Sequence, residues 1–208
     1  MSDFLRRQRE ELARFWQEGL AWEVRRVSIA FAVLVILFYG ACMLLSPVRE
    51  ALVGQVLGVL DSLEVIQEDG SLSATLLFAS NLNACIFMML YGLVPFIRLP
   101  ALTLGLNAMM LGALASWYST QGFSLLVYLA FLFPHGIFEL PAMALSLAVG
   151  LSVCKQVTRR FRGDAEALPL GGCCLLISRT VLLAVTPLLV VAAFLEAYVT
   201  PLFASLFF

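Results

Sequence analysis

Charged residues are absent from three long stretches of the chain, 27–46, 70–97 and 99–134. Uncharged apolar runs of about 20 residues or more fit the hydrocarbon core of a bilayer when coiled as α-helices. In lipid each segment must satisfy its own backbone hydrogen bonds, so runs of this kind predict an all-α, polytopic membrane helix bundle. The alternating ten-residue segments of a membrane β-barrel are missing. Five transmembrane helices are expected, at about 27–46, 73–97, 101–117, 123–154 and 180–204. Pro47 closes the first, and Arg98 with Pro100 makes a tight turn between the second and third. The fourth stretch is long for a single span and contains Pro134, Gly136 and Pro141, so it is expected as one kinked span or two half-helices. The apolar stretch Leu168–Ser178, with Arg179 at its edge, leaves room for a re-entrant segment over 168–179.

Two segments outside the spans also carry a pattern. Over 3–24, Leu5, Leu12, Phe15, Trp16 and Leu20 fall roughly on one face with Arg and Glu around the rest, which predicts an amphipathic cytoplasmic helix over residues 1–26. Residues 27–208 then form the transmembrane bundle. In the acidic loop 47–72, Val48–Leu60 is expected as a short helix resting on the membrane. A cleavable signal peptide is not expected, because the first 26 residues are charged and Val27–Ser46 lacks a suitable cleavage site.

Composition agrees with this pattern: 62% of the residues are hydrophobic and 13% charged, against roughly half and a quarter in soluble domains. The net charge of -1 is uninformative, but its distribution is not. With the N-terminus inside and five spans, Arg6, Arg7, Arg9, Arg14, Arg25, Arg26, Arg98, Lys155, Arg159, Arg160, Arg162 and Arg179 all lie on the cytoplasmic side. Only Arg49 of the thirteen basic residues lies outside. The positive-inside rule therefore predicts a multi-pass protein of the cytoplasmic (inner) membrane with its N-terminus in the cytoplasm and its C-terminus outside. The five Cys lack zinc-ligand spacing and read as small packing residues. Gly92, Gly105, Gly112 and Gly150 read as points of close helix contact, and the glycine- and alanine-rich faces predict a homodimer.

Ionisable groups inside a bilayer are costly and usually face the bundle interior. The expected spans contain three, His135, Glu139 and Glu196. His135 is the only histidine, and its spacing of four from Glu139 puts both on one helix face. Asn81, Asn83 and Asn107 are expected to line the same polar pocket. An imidazole with two carboxylates suits zinc with an open fourth position, which could polarise a substrate or activate water. Two other readings stay open: a proton or substrate pathway, and a hydrogen-bonded cluster that ties helices together. The H-x-x-x-E spacing lacks the second His of an H-E-x-x-H protease. There is no Ser/His/Asp set, no phosphate-binding glycine loop and no nucleic-acid module. A non-enzymatic role is favoured; a catalytic one would be that of a metal-dependent hydrolase.

The stretch Phe133-Pro134-His135-Gly136-Ile137-Phe138-Glu139-Leu140-Pro141-Ala142 resembles the signature of the stage II sporulation protein M family. Ala192-Ala193-Phe194-Leu195-Glu196-Ala197-Tyr198-Val199-Thr200-Pro201 resembles that family's closing A-A-x-x-E-A-x-x-T-P motif. Asn81, Gly92 and the Asn107–Gly112 segment resemble its other motifs in the right order, with Ala108 where a Gly is usual, and Phe4-Leu5-Arg6-Arg7 resembles its N-terminal helix. The resemblance covers nearly the whole chain. In spore formers the family member is a membrane scaffold in an engulfment complex with two peptidoglycan-degrading proteins. The resemblance therefore implies a membrane bundle, envelope or peptidoglycan-remodelling proteins as partners, and a functional role for His135, Glu139, Glu196, Asn81 and Asn107. An intramembrane metal-dependent enzyme or carrier, acting on a small or lipid-linked envelope substrate, is the alternative.

Overall fold

The computed structural model describes residues 6, 7, 10, 13, 14, 16–62 and 72–204. The protein is an all-α bundle of six helices among these residues. They are α1 (Ala21–Leu44), α2 (Ser46–Ser62), α3 (Ala74–Leu90, closed by one 3-10 turn, Tyr91–Leu93), α4 (Leu99–Thr120), α5 (Leu125–Phe161) and α6 (Leu170–Leu202). All but α2 are long and apolar enough to cross a membrane, so there are five candidate spans.

α1, α4, α5 and α6 run past the apolar windows that announce them at one end or both, because backbone hydrogen bonding propagates until a breaker intervenes, whereas α3 ends short of its window at Leu93. α1 starts at Ala21, taking in Arg25 and Arg26, and is preceded by a break at Gly19, whose φ of 134° only glycine adopts readily. Leu5, Leu12 and Phe15 of the expected amphipathic face lie outside the described residues, as do Glu64, Glu68 and Asp69 of the acidic loop. The expected short helix over Val48–Leu60 is present as α2. Of the two arrangements expected for 123–154, the single span is found: α5 is one 37-residue helix through Pro134 and Pro141. A crossing needs only about 20 residues, and much of the surplus is the charged end around Arg159 and Arg160. The stretch 168–179 is no separate re-entrant element. From Leu170 it is the first part of α6, which continues through Arg179.

α6 is not uniform. It passes through π-helical turns at Val181–Val185 and Leu195–Val199, each directly before a Thr-Pro pair, Thr186-Pro187 and Thr200-Pro201. Proline cannot donate its ladder bond, and its ring crowds the carbonyl four residues back. The helix widens by one residue at each place, so that Thr186 donates its N–H to Val181 O and Thr200 donates its N–H to Leu195 O.

The chain divides into two compact units. The first comprises Met1–Ile29, Leu82–Thr103 and Pro141–Leu188; the second comprises Ala30–Asn81, Leu104–Leu140 and Leu189–Phe208. Every one of the five long helices has one end in each unit, and successive spans alternate in which end that is. The first unit holds twelve of the thirteen basic residues, and only Arg49 belongs to the second.

In the first unit α3 and α5 touch backbone to backbone. A Cβ at Gly92 would overlap the carbonyl oxygen of Gly150, and one at Gly150 would overlap that of Met88. The turn after α3 is seated on α5: Phe96, at a left-handed φ of 64°, donates its N–H to Thr158 Oγ1 at 2.9 Å. The Cys154 thiol faces the carbonyls of Val94 and Ile97, each at 3.5 Å. Arg159 donates from Nε to Asp164 at 2.7 Å, fastening the loop after α5.

In the second unit Gly112 lets α4 meet α1, with Phe38 Cβ, Tyr39 N and Val35 O all 2.8 Å from where a Cβ would stand. Cys42, Val53 and Ala113 form a buried cluster under Leu52 and Trp117, so Trp117 is a packing residue as well as a span-end aromatic. Leu77 of α3 packs against Ala193 and Ala197 of α6. Gly105 differs from Gly92, Gly112 and Gly150, since apart from its chain neighbours and its own helix backbone no described atom lies within 4 Å of its Cβ position. Four of the cysteines are buried as expected of packing residues, but Cys174 is exposed.

Candidate functional site

Two helix faces in the second unit carry the candidate chemistry. On α5, His135 and Glu139 lie one helical turn apart; on α6, Glu196 and Thr200 have the same spacing. The helices pair antiparallel here, His135 meeting Thr200 while Glu139 lies by Glu196. One ligand atom from each of His135, Glu139 and Glu196 lies within 4.8 Å of the other two. These are the three ionisable residues singled out in the spans, and 57 positions separate Glu139 from Glu196 in sequence.

The polar atoms of the cluster are unevenly satisfied. His135 Nδ1 is 3.3 Å from Thr200 Oγ1. Glu196 Oε2 is buried with no hydrogen-bond partner among the described residues. Among the described residues no Lys or Arg pairs with either glutamate. A buried polar atom without a partner is costly. Two carboxylates this close, in a medium of low dielectric, repel strongly unless a proton or a cation stands between them. A shared proton or a bound cation would relieve that repulsion, and Glu196 Oε2 is the buried atom left without a partner among the described residues.

Zinc meets that requirement chemically, because it takes imidazole nitrogen and carboxylate oxygen at about 2.0–2.2 Å. Donor atoms on a tetrahedral zinc stand about 3.3 Å apart. Ligand atoms within 4.8 Å are thus near enough to close on one ion by small side-chain rotations. Each of the three residues also keeps part of its surface open.

The asparagines divide. Asn81 and Asn107 belong to the same unit as the cluster and are half-buried, whereas Asn83 belongs to the other unit and is exposed. Asn83 is two residues from Asn81, and two steps on a helix turn a side chain about 200° away. One polar residue joins the cluster from outside the expected set: Thr200, beside His135. Its signal was present: it stands four residues after Glu196 and directly before Pro201, inside a span end. A lone threonine is unremarkable in a membrane helix, and only the fold shows that it touches the sole histidine.

Residues 27–201 match the family described as stage II sporulation protein M. An uncharacterized protein of Methanocaldococcus jannaschii is 32% identical over 129 residues, which make up 62% of this chain and 71% of that protein. No solved structure matches.

Proposed function

The chain belongs to the stage II sporulation protein M family, and from that premise we propose that it is a multi-pass membrane scaffold for envelope and peptidoglycan-remodelling proteins, with zinc held by His135, Glu139 and Glu196. The scaffold role is taken by analogy with the spore-former member of the family, whose name ties it to sporulation and not to a chemistry. The metal rests on one observation: the orphaned, buried Oε2 of Glu196 in a cluster of three ligand atoms within 4.8 Å. A divalent cation would neutralise both carboxylates and tie α5 to α6, and zinc is the choice that fits one imidazole and two carboxylates.

One feature favours the enzymatic alternative. Structural zinc sites are closed by four protein ligands, whereas three ligands with an open position belong to catalytic ones. The cluster offers three, all partly exposed. A bound zinc with a free position would supply a Lewis acid or an activated water, and the substrate would be small or lipid-linked. In that reading Glu139→Gln abolishes function while the fold survives; in the scaffold reading the same change mainly loosens the bundle.

The proposed orientation, N-terminus in the cytoplasm and C-terminus outside, is supported by the gathering of twelve basic residues in one unit. The proposed homodimer has lost part of its basis, since Gly92, Gly112 and Gly150 are taken up by contacts within the chain. It rests on the alanine-rich faces, and a detergent-corrected mass equal to a single chain would end it.

Elemental mass spectrometry of the purified protein tests the site. About one zinc per chain is expected, lost in both His135→Ala and Glu139→Gln. Metal-free protein that is well folded would return the cluster to a purely hydrogen-bonded role.

A further inference from the structure

We propose that Thr200 is the positioning residue of the cluster: it fixes the His135 ring with its proton on Nδ1 and leaves Nε2 as the bare, ligand-donating nitrogen. The proposal deepens the metal reading above and rests on it for the consequence, though not for the tautomer itself.

Because Pro201 donates no N–H and crowds the carbonyl four residues back, the helix opens into the π turn Leu195–Val199. The N–H of Thr200 then reaches Leu195 O, five residues back. The hydroxyl of Thr200 donates to the same carbonyl at 3.3 Å. Both groups of Thr200 are thus anchored to Leu195, and the side chain is held in one place beside α5.

A threonine hydroxyl has one proton and two lone pairs, and a carbonyl oxygen only accepts. With its proton directed to Leu195 O, Thr200 Oγ1 can only accept from a further neighbour. That neighbour is His135 Nδ1, at 3.3 Å. A neutral imidazole carries a single N–H, so an Nδ1 that donates leaves Nε2 with a free lone pair. Metal-binding histidines are commonly held in this way, the far nitrogen donating to an oxygen that sets the tautomer and the ring plane. The π turn contributes twice, since it carries Glu196 as well as the carbonyl that orients Thr200. The two polar residues of the α6 face are therefore placed by one distortion, which stands directly before Pro201.

The chain contains one histidine, which makes the test direct. The full-length protein, labelled with 15N-histidine and placed in lipid nanodiscs without metal, gives a single imidazole pair by NMR. Nδ1 is expected protonated and Nε2 bare. Thr200→Val, which keeps the shape and removes the oxygen, should shift the ring toward the Nε2-protonated form; Thr200→Ser should restore the original spectrum. In a chelator competition with zinc, Thr200→Val should bind about 10–100-fold more weakly and Thr200→Ser close to wild type. A wild-type ring protonated on Nε2, or a spectrum that Thr200→Val leaves unchanged, overturns the proposal whether or not zinc binds. If Thr200→Val does not fold, the wild-type and Thr200→Ser spectra decide by the same criterion. Protein that shows the expected tautomers but takes up no zinc supports the positioning role and refutes the metal reading alone.

Discussion

Replacing Gly92 by alanine tests the tightest contact in the fold. The 3-10 turn Tyr91–Leu93 that ends α3 lies directly on α5, and the Cβ of an alanine at 92 would overlap the carbonyl oxygen of Gly150. It would also stand 2.9 Å from that carbonyl carbon and 3.0 Å from Gly150 Cα, where ordinary contacts begin at 3.4 Å. All three atoms are backbone, so no rotamer change relieves the overlap and the two helices must part. A gap of 0.5–1 Å forfeits a quarter to a half of each dispersion contact along the seam. Met88 belongs to that seam, and Met88, Met89, Val149 and Val153, close to the two glycines along their helices, are each no more than 2% exposed. Overpacking of this kind costs about 1–3 kcal/mol, and a backbone-on-backbone clash belongs at the upper end. Alanine recovers roughly 1 kcal/mol of helix propensity, leaving a net loss of about 2 kcal/mol. For a chain of this length that lowers the thermal midpoint by roughly 4–8 °C. The assay is thermal unfolding of the full chain in nanodiscs, with Gly105→Ala alongside. Gly105 has nothing described within 4 Å of its Cβ position, so that variant should match or slightly exceed wild type. Equal midpoints for the two variants would refute the argument that the Gly92–Gly150 contact is a seam rather than a loose crossing.

Outside the spans, the hydrogen bond from Arg159 holds the Asp164 carboxyl below the usual carboxylate range. Its contribution to the fold is present above the ordinary carboxylate value and is lost as pH falls through the lowered one. Carbon-detected NMR should find the Asp164 titration midpoint depressed, and Arg159→Ala should raise it. A reporter fused after Phe208 and active only in the cytoplasm should stay silent, and activity there would overturn the five-span, C-outside arrangement. Removal of zinc by a strong chelator should lower the thermal midpoint of wild type but not of Glu139→Gln; equal loss in both would place any bound metal elsewhere.

The sequence by itself determined the environment and the count of the spans. Long uncharged runs have one low-energy solution in a bilayer, which is to coil into helices that cross it. It also determined half of the candidate site, since an i, i+4 spacing such as His135–Glu139 is a local property of any helix. The other half was decided by tertiary structure. Glu196 meets Glu139 only because α5 and α6 pair antiparallel in one particular register, and a register between distant helices depends on packing that no local window contains. The same holds for continuity. Pro134 and Pro141 leave α5 unbroken, while Pro187 and Pro201 stand just after π turns in α6, and the same residue type announces both outcomes. Gly105 and Gly112, seven residues apart on α4, read alike as glycines of a span. Only the position of α1 makes Gly112 a contact and leaves Gly105 open. Thr200 belongs to this second class, because its significance is a bond to a histidine 65 residues earlier in the chain.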